Sequence, residues 1–94
     1  MHKVLITAID SFTGIHLSKY LQKNNFEVFG TTYADCDITN KESVKKTFLR
    51  IKPDFVIHLA GISFVAHGND NDFYNVNTIG TLNILDALLE IKHI

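Results

Sequence analysis

The 94 residues contain one cysteine, one proline and no tryptophan. None of their apolar runs approaches the roughly 20 residues that span a bilayer. A lone Cys36 has no internal partner, which excludes an intramolecular disulfide and leaves a buried structural thiol as its reading. Charge of one sign is also scarce: nine Lys and Arg against ten Asp and Glu leave a formal net charge of -1, so no electrostatic footprint for nucleic acid is present. The five histidines, His2, His16, His58, His67 and His93, show no paired metal-ligand spacing, and no metal site is expected. The opening MHKVLITA enters an apolar run without the charged, apolar and cleavage regions of a signal peptide, so a cytoplasmic protein with no membrane partner is expected. There are no repeats, linkers or low-complexity segments.

What is present is an ordinary globular composition, 46% hydrophobic and 20% charged, in a chain long enough for one domain at most. KVLITA, residues 3–8, reads as a central strand buried on both faces. From Phe12 to Asn24 the period changes to that of a helix, with Gly14, Leu17 and Leu21 on one face. EVFGTT, residues 27–32, reads as a second strand and DCDI, residues 35–38, as a short third. Thr39 with Glu42 forms a capping box for a helix whose buried stripe is Val44, Phe48 and Ile51, and Pro53 ends it. FVIHLA, residues 55–60, reads as a buried fourth strand, 61–70 as a loop, and 72–91 as a long helix.

Strands alternating with helices predict an α/β fold: a partial Rossmann-type, doubly wound parallel sheet with strand order 3-2-1-4 and flanking helices. Ligands in such sheets bind at the carboxyl ends of the strands where the order reverses, here between the first and fourth. TAIDSFTG, residues 7–14, and HLAGIS, residues 58–63, both end there. A nucleotide-binding loop would carry glycines at positions 8, 11 and 14, but only Gly14 is one; Ala8 and Ser11 replace the others.

The TxxxxFTG loop, the CDIT segment, HLAGISFV and the helical NVNTIGTLNILDAL, taken in order, resemble the extended short-chain dehydrogenase/reductase family. The likeness is greatest to its sugar-nucleotide members, the NAD-dependent epimerases and dehydratases and the GDP-mannose dehydratase and reductase group. It implies a truncated NAD(P)-binding domain over 1–94. By similarity, residues 8–14 form the pyrophosphate loop, with Ala8, Ser11, Phe12, Thr13 and Gly14 as cofactor residues. Asp37 and Ile38 would sit at the adenine, Thr32 in the ribose-reading place, Leu59, Ala60 and Gly61 along the cofactor, and Asn77 on the last helix. Ser63 would face the nicotinamide or sugar. Neither an acidic residue nor an arginine stands at 31–33, so NAD and NADP remain open.

The family's catalytic Tyr-x-x-x-Lys is absent: Tyr20, Tyr33 and Tyr74 are followed four places on by Asn24, Asp37 and Thr78. Without that acid/base pair the chain alone is expected to be inactive, with a nucleotide-sugar substrate only in a full-length form. Ser11 places a side chain where phosphates would press, whereas Ala8 is tolerated if its backbone angles are ordinary. Asp10 about 5 Å from a phosphate would oppose it by about 3 kcal/mol at an effective dielectric near 20. The N–H groups of Phe12, Thr13 and Gly14 remain as a weak anion site. Val76, Gly80, Ile84 and Ala87 form a stripe suited to packing on the sheet, while Leu82, Leu85 and Leu89 form a second stripe. That stripe, or the open edge of the fourth strand, is the expected homodimer contact. Two readings stand beside the cofactor-binding one: a non-catalytic dimeric scaffold, and a fragment whose remainder supplies catalysis.

Overall fold

The computed structural model describes residues 1–60 and 78–92. Its elements, in chain order, are β1 (Lys3–Thr7), α1 (Phe12–Lys23), β2 (Glu27–Thr31), α2 (Lys41–Ile51), β3 (Phe55–His58) and α3 (Gly80–Lys92). The three strands are parallel in the order β2-β1-β3. β1 pairs with β2 from Lys3 opposite Glu27 to Thr7 opposite Thr31. On its other side it pairs with β3 from Val4 opposite Phe55 to Thr7 opposite His58.

β1 is central because Val4, Leu5, Ile6 and Thr7 are buried on both faces, as an uninterrupted apolar run requires. The chain passes from β1 to β2 in one direction, then from β2 across β1 to β3 in the other. Right-handed crossovers therefore place α1 on one face of the sheet and α2 on the opposite face. Leu5 shares a core cluster with Val44, Phe48 and Ile51 of α2 and Ile84 and Ala87 of α3, backed by Phe29 and Val56 of the flanking strands. Both expected stripes thus have their buried members, with Val76 outside the described residues. Lys45 of α2 pairs with Glu90 of α3 at 3.3 Å, and Lys3 Nζ donates to the Ile51 carbonyl at the end of α2.

Three local expectations are corrected. Residues 35–38 form no strand: Asp35 accepts from the Thr32 N–H at 2.7 Å, Cys36 N–H donates to the Thr32 carbonyl, and Asp37 accepts from both the N–H and the hydroxyl of Thr39. Short polar side chains that satisfy neighbouring backbone compete with ladder formation, while Cys36 and Ile38 still reach the core. The N-cap of α2 is Asn40, not Thr39, because the Thr39 hydroxyl is engaged by Asp37 and Asn40 accepts from the N–H groups of Glu42 and Ser43. The fourth strand of the sequence reading, here β3, is half-exposed and not buried, with Phe55 53% exposed; it is an edge among the described residues.

Candidate functional site

Parallel pairing brings the ends of β1, β2 and β3 to one edge of the sheet, and three backbone segments meet there. The first is the turn from β1 into α1. Ala8 has φ 53°, in the left-handed region, so its angles are not the ordinary ones under which a methyl would be free of cost. Ser11 N–H donates to the Ala8 carbonyl at 3.0 Å, and Ile9 N–H donates to the Thr31 carbonyl at 3.0 Å, tying the turn to the end of β2. Ile9 also lies over Gly30, where a Cβ would meet the Ile9 Cβ at 2.5 Å.

Ser11 is the N-cap of α1 (φ -72°, ψ 164°), and its hydroxyl accepts from the Gly14 N–H at 3.1 Å. The expected anion site is corrected accordingly: Gly14 N–H is already satisfied, which leaves those of Phe12 and Thr13 in the first turn. Asp10 is exposed. Gly14 carries the close approach of helix to turn, since a Cβ there would stand 2.6 Å from the Ala8 carbonyl oxygen and 2.7 Å from that of Ile9.

The second segment follows β2. Thr32 is half-buried with its N–H held by Asp35, Tyr33 is 80% exposed, and Asp37 is held by Thr39 beside a buried Ile38. Ile38 joins this side to α3: Asn83 Nδ2 donates to its carbonyl at 2.9 Å, and a Cβ on Gly80 would meet its side chain at 2.5 Å.

The third segment leaves β3. Thr7 Oγ1 accepts from the N–H groups of Leu59 and Ala60 at 2.8 and 2.9 Å and lies 2.8 Å from His58 Nδ1. His58 Nε2 is 3.1 Å from Thr81 Oγ1 on α3. Burial pushes the His58 pKa below its ordinary value. Thr7, Ile9, His58, Thr81 and Asn83 were missed as site-building residues. The available signal was that VLIT and FVIH are apolar runs that each end on a polar residue. Gly61, Ser63 and Asn77 lie outside the described residues. The structure therefore brings Ala8, Ser11, Phe12, Thr13, Gly14, Thr32, Leu59 and Ala60 to the ends of the strands, with Asp37 and Ile38 on the chain beyond β2.

A model of the NAD-dependent epimerase/dehydratase family matches residues 4–93. The chain belongs to that family. Among curated relatives it is similar to GDP-6-deoxy-D-talose 4-dehydrogenase of Aggregatibacter actinomycetemcomitans, 43% identical over 96% of this chain and 31% of the relative. Among solved structures it is similar to dTDP-4-dehydrorhamnose reductase of Bacillus anthracis in complex with NADP (TM-score 0.89, 26% identity, 97% of this chain and 33% of that one). It also shares the fold of Thermus thermophilus UDP-glucose 4-epimerase in complex with NAD (TM-score 0.89, 24% identity, 96% of this chain and 34% of that one). The chain thus spans about a third of the length of these three proteins. The expected Rossmann-type class holds, with the one difference at 35–38.

Cys36 is buried beside Thr47, and burial holds its thiol pKa above the ordinary value, in line with a structural thiol. No group of His, Cys, Asp and Glu among the described residues could hold a metal ion, and no helix among them is long and apolar enough to cross a membrane.

Proposed function

We propose that this chain is the dinucleotide-binding part of a sugar-nucleotide epimerase, dehydratase or reductase, and that it is not catalytic by itself. The observation that carries the reading is the turn from β1 into α1, with a left-handed residue at its start, a helix N-terminus at its end and a glycine on which no Cβ fits. NAD or NADP fits this edge: Phe12 and Thr13 N–H at the positive end of α1 would take the pyrophosphate, Thr32 the ribose side, Asp37 and Ile38 the adenine side, and Leu59 and Ala60 the wall. Gly61, Asn77 and Ser63 are assigned to the same site through the family resemblance alone. The cofactor would supply reversible hydride transfer to and from a sugar carbon. This chain's own residues would bind and orient it, and the general acid/base that moves the hydroxyl proton has no Tyr-x-x-x-Lys to serve it here.

Calorimetric titration with NAD and NADP tests the reading. Micromolar binding of either supports it; no heat up to millimolar concentration, with the protein folded, overturns it. Turnover of a GDP- or UDP-linked sugar by the chain alone would overturn its inactivity.

A second reading is a dimeric scaffold derived from this fold, favoured by Leu82, Leu85 and Leu89 of α3, exposed at 53, 50 and 49% on one stripe. Ser11 bonding to Gly14 N–H supports it too, since the cap competes with a phosphate for that donor. Sedimentation at micromolar concentration decides it: a dimer dissolved by Leu85→Asp supports the scaffold, and a monomer counts against it.

A further inference from the structure

The hydrogen bonds around Thr7 can be counted. A threonine hydroxyl has one proton to donate and two lone pairs to accept with. Both lone pairs of Thr7 Oγ1 are taken, by Leu59 N–H and Ala60 N–H. Its proton must then go to its third partner, His58 Nδ1 at 2.8 Å. His58 Nδ1 is therefore an acceptor, the neutral ring carries its proton on Nε2, and Nε2–H donates to Thr81 Oγ1 at 3.1 Å. A single buried hydroxyl at the end of β1 thus holds the chain leaving β3 and, through one imidazole tautomer, the first turn of α3.

We propose that Thr7 is a positioning residue that sets the Leu59–Ala60 backbone through this bond set, and that a proton on His58 releases that backbone. A charged ring would turn an N–H towards an oxygen whose lone pairs are already committed, so the two amides and the ring would compete for Thr7. The elements packed on the ring present Thr7 from β1 and Thr81 from α3. The charged described side chains on those elements are Lys3 on β1 and Asp86 and Glu90 on α3, and burial is the cause of the lowered pKa of the ring. The placement of these residues at a cofactor wall rests on the proposed function, whereas the bond count does not.

The test uses the whole chain in its cofactor-free state. Nitrogen-labelled histidine spectra at pH 7.5 should show His58 as the Nε2–H tautomer; the Nδ1–H tautomer would overturn the proposal. Protection of the Leu59 and Ala60 amides against hydrogen exchange, taken relative to Leu5 in the core of β1, should fall about tenfold as His58 becomes charged. A ratio that stays constant through the titration would also overturn it. Thr7→Val should show low relative protection at every pH, and Thr7→Ser should restore the wild-type profile. Should Thr7→Val fail to fold, the wild-type titration and Thr7→Ser still decide. NAD titration at pH 7.5 is a separate arm: no binding there refutes the cofactor reading and leaves the protection ratio to decide the role of Thr7.

Discussion

Replacing Ala8 with glycine should stabilise the protein. Ala8 sits at φ 53° in the turn from β1 to α1, and a side chain in the left-handed region costs roughly 1–2 kcal/mol that glycine does not incur. Against this, glycine gives the unfolded chain extra freedom at about 0.4–1 kcal/mol. Loss of a half-buried methyl removes about 0.4 kcal/mol more, half the value of a fully buried one. The balance favours Ala8→Gly by about 0.5 kcal/mol, which in a domain of this size raises Tm by about 2–4 °C. Urea and thermal unfolding of the two proteins side by side measure it, and Ala8→Val should be less stable than either, since a β-branched residue fits this region worst. Should Ala8→Gly prove less stable than wild type by 0.5 kcal/mol or more (roughly the gain forecast, with its sign reversed), the left-handed turn would be wrong. So would the account of position 8 as a glycine place occupied at a cost.

Ser11→Ala should lose about 1 kcal/mol with the cap, whereas Ser11→Gly should lose only a few tenths and bind NAD or NADP more tightly by freeing the Gly14 N–H; unfolding and calorimetry check the pair. Gly14→Ala should cost about 2 kcal/mol or more in urea denaturation. A Cβ placed 2.6 Å from a backbone carbonyl outweighs the ~1 kcal/mol that alanine gains over glycine inside a helix. His58, with a folded-state pKa below the ordinary 6.5, contributes stability that is complete above pH 6.5. That contribution is lost as the pH falls through the folded value, because the unfolded ring takes its proton first. Stability measured from pH 8 to 5 should decline in this window and decline less in His58→Gln.

The outline of the fold was legible because its signals are local. Four consecutive buried residues in β1 could only be a central strand, and Val44, Phe48 and Ile51 recur at helical spacing on α2. The segment 35–38 misled because its β-like alternation carries aspartates that bond their own neighbours, Thr32 and Thr39, a competition that pattern alone does not weigh. Thr39 and Asn40 are adjacent cap candidates, and the choice between them depends on where Asp37 points. The site was legible as a place and not as a set of contacts. Thr7 meets His58 only because β1 and β3 pair in one register across 51 residues of chain, and Ile9 meets Gly30 only once α1 has turned the chain back. Ala8 stood in view as a replaced glycine, but its left-handed backbone had to be seen in the structure.

The turn before α1 weighs helix stability against anion binding, and the magnitudes indicate how far each goes. As a cap, Ser11 contributes about 1 kcal/mol to folding. The same hydroxyl occupies one of three first-turn N–H groups, and a charge-assisted bond from such a group to a phosphate is worth about 1.5–3 kcal/mol, which is roughly tenfold or more in affinity. Asp10 weighs less than its sequence position implied. It is exposed, so a phosphate about 5 Å away in a water-like dielectric is opposed by about 1 kcal/mol, not the 3 kcal/mol of a partly buried pair. Capping is therefore the larger of the two penalties on a bound pyrophosphate, and the one that a single substitution can remove while the helix keeps its start. If Ser11→Gly tightens NAD or NADP binding about tenfold while Asp10→Asn changes it by less than about fivefold, the phosphate seat is limited by hydrogen-bond donors. The reverse ranking would make it limited by charge, and would mean that Asp10 turns inward when the cofactor arrives.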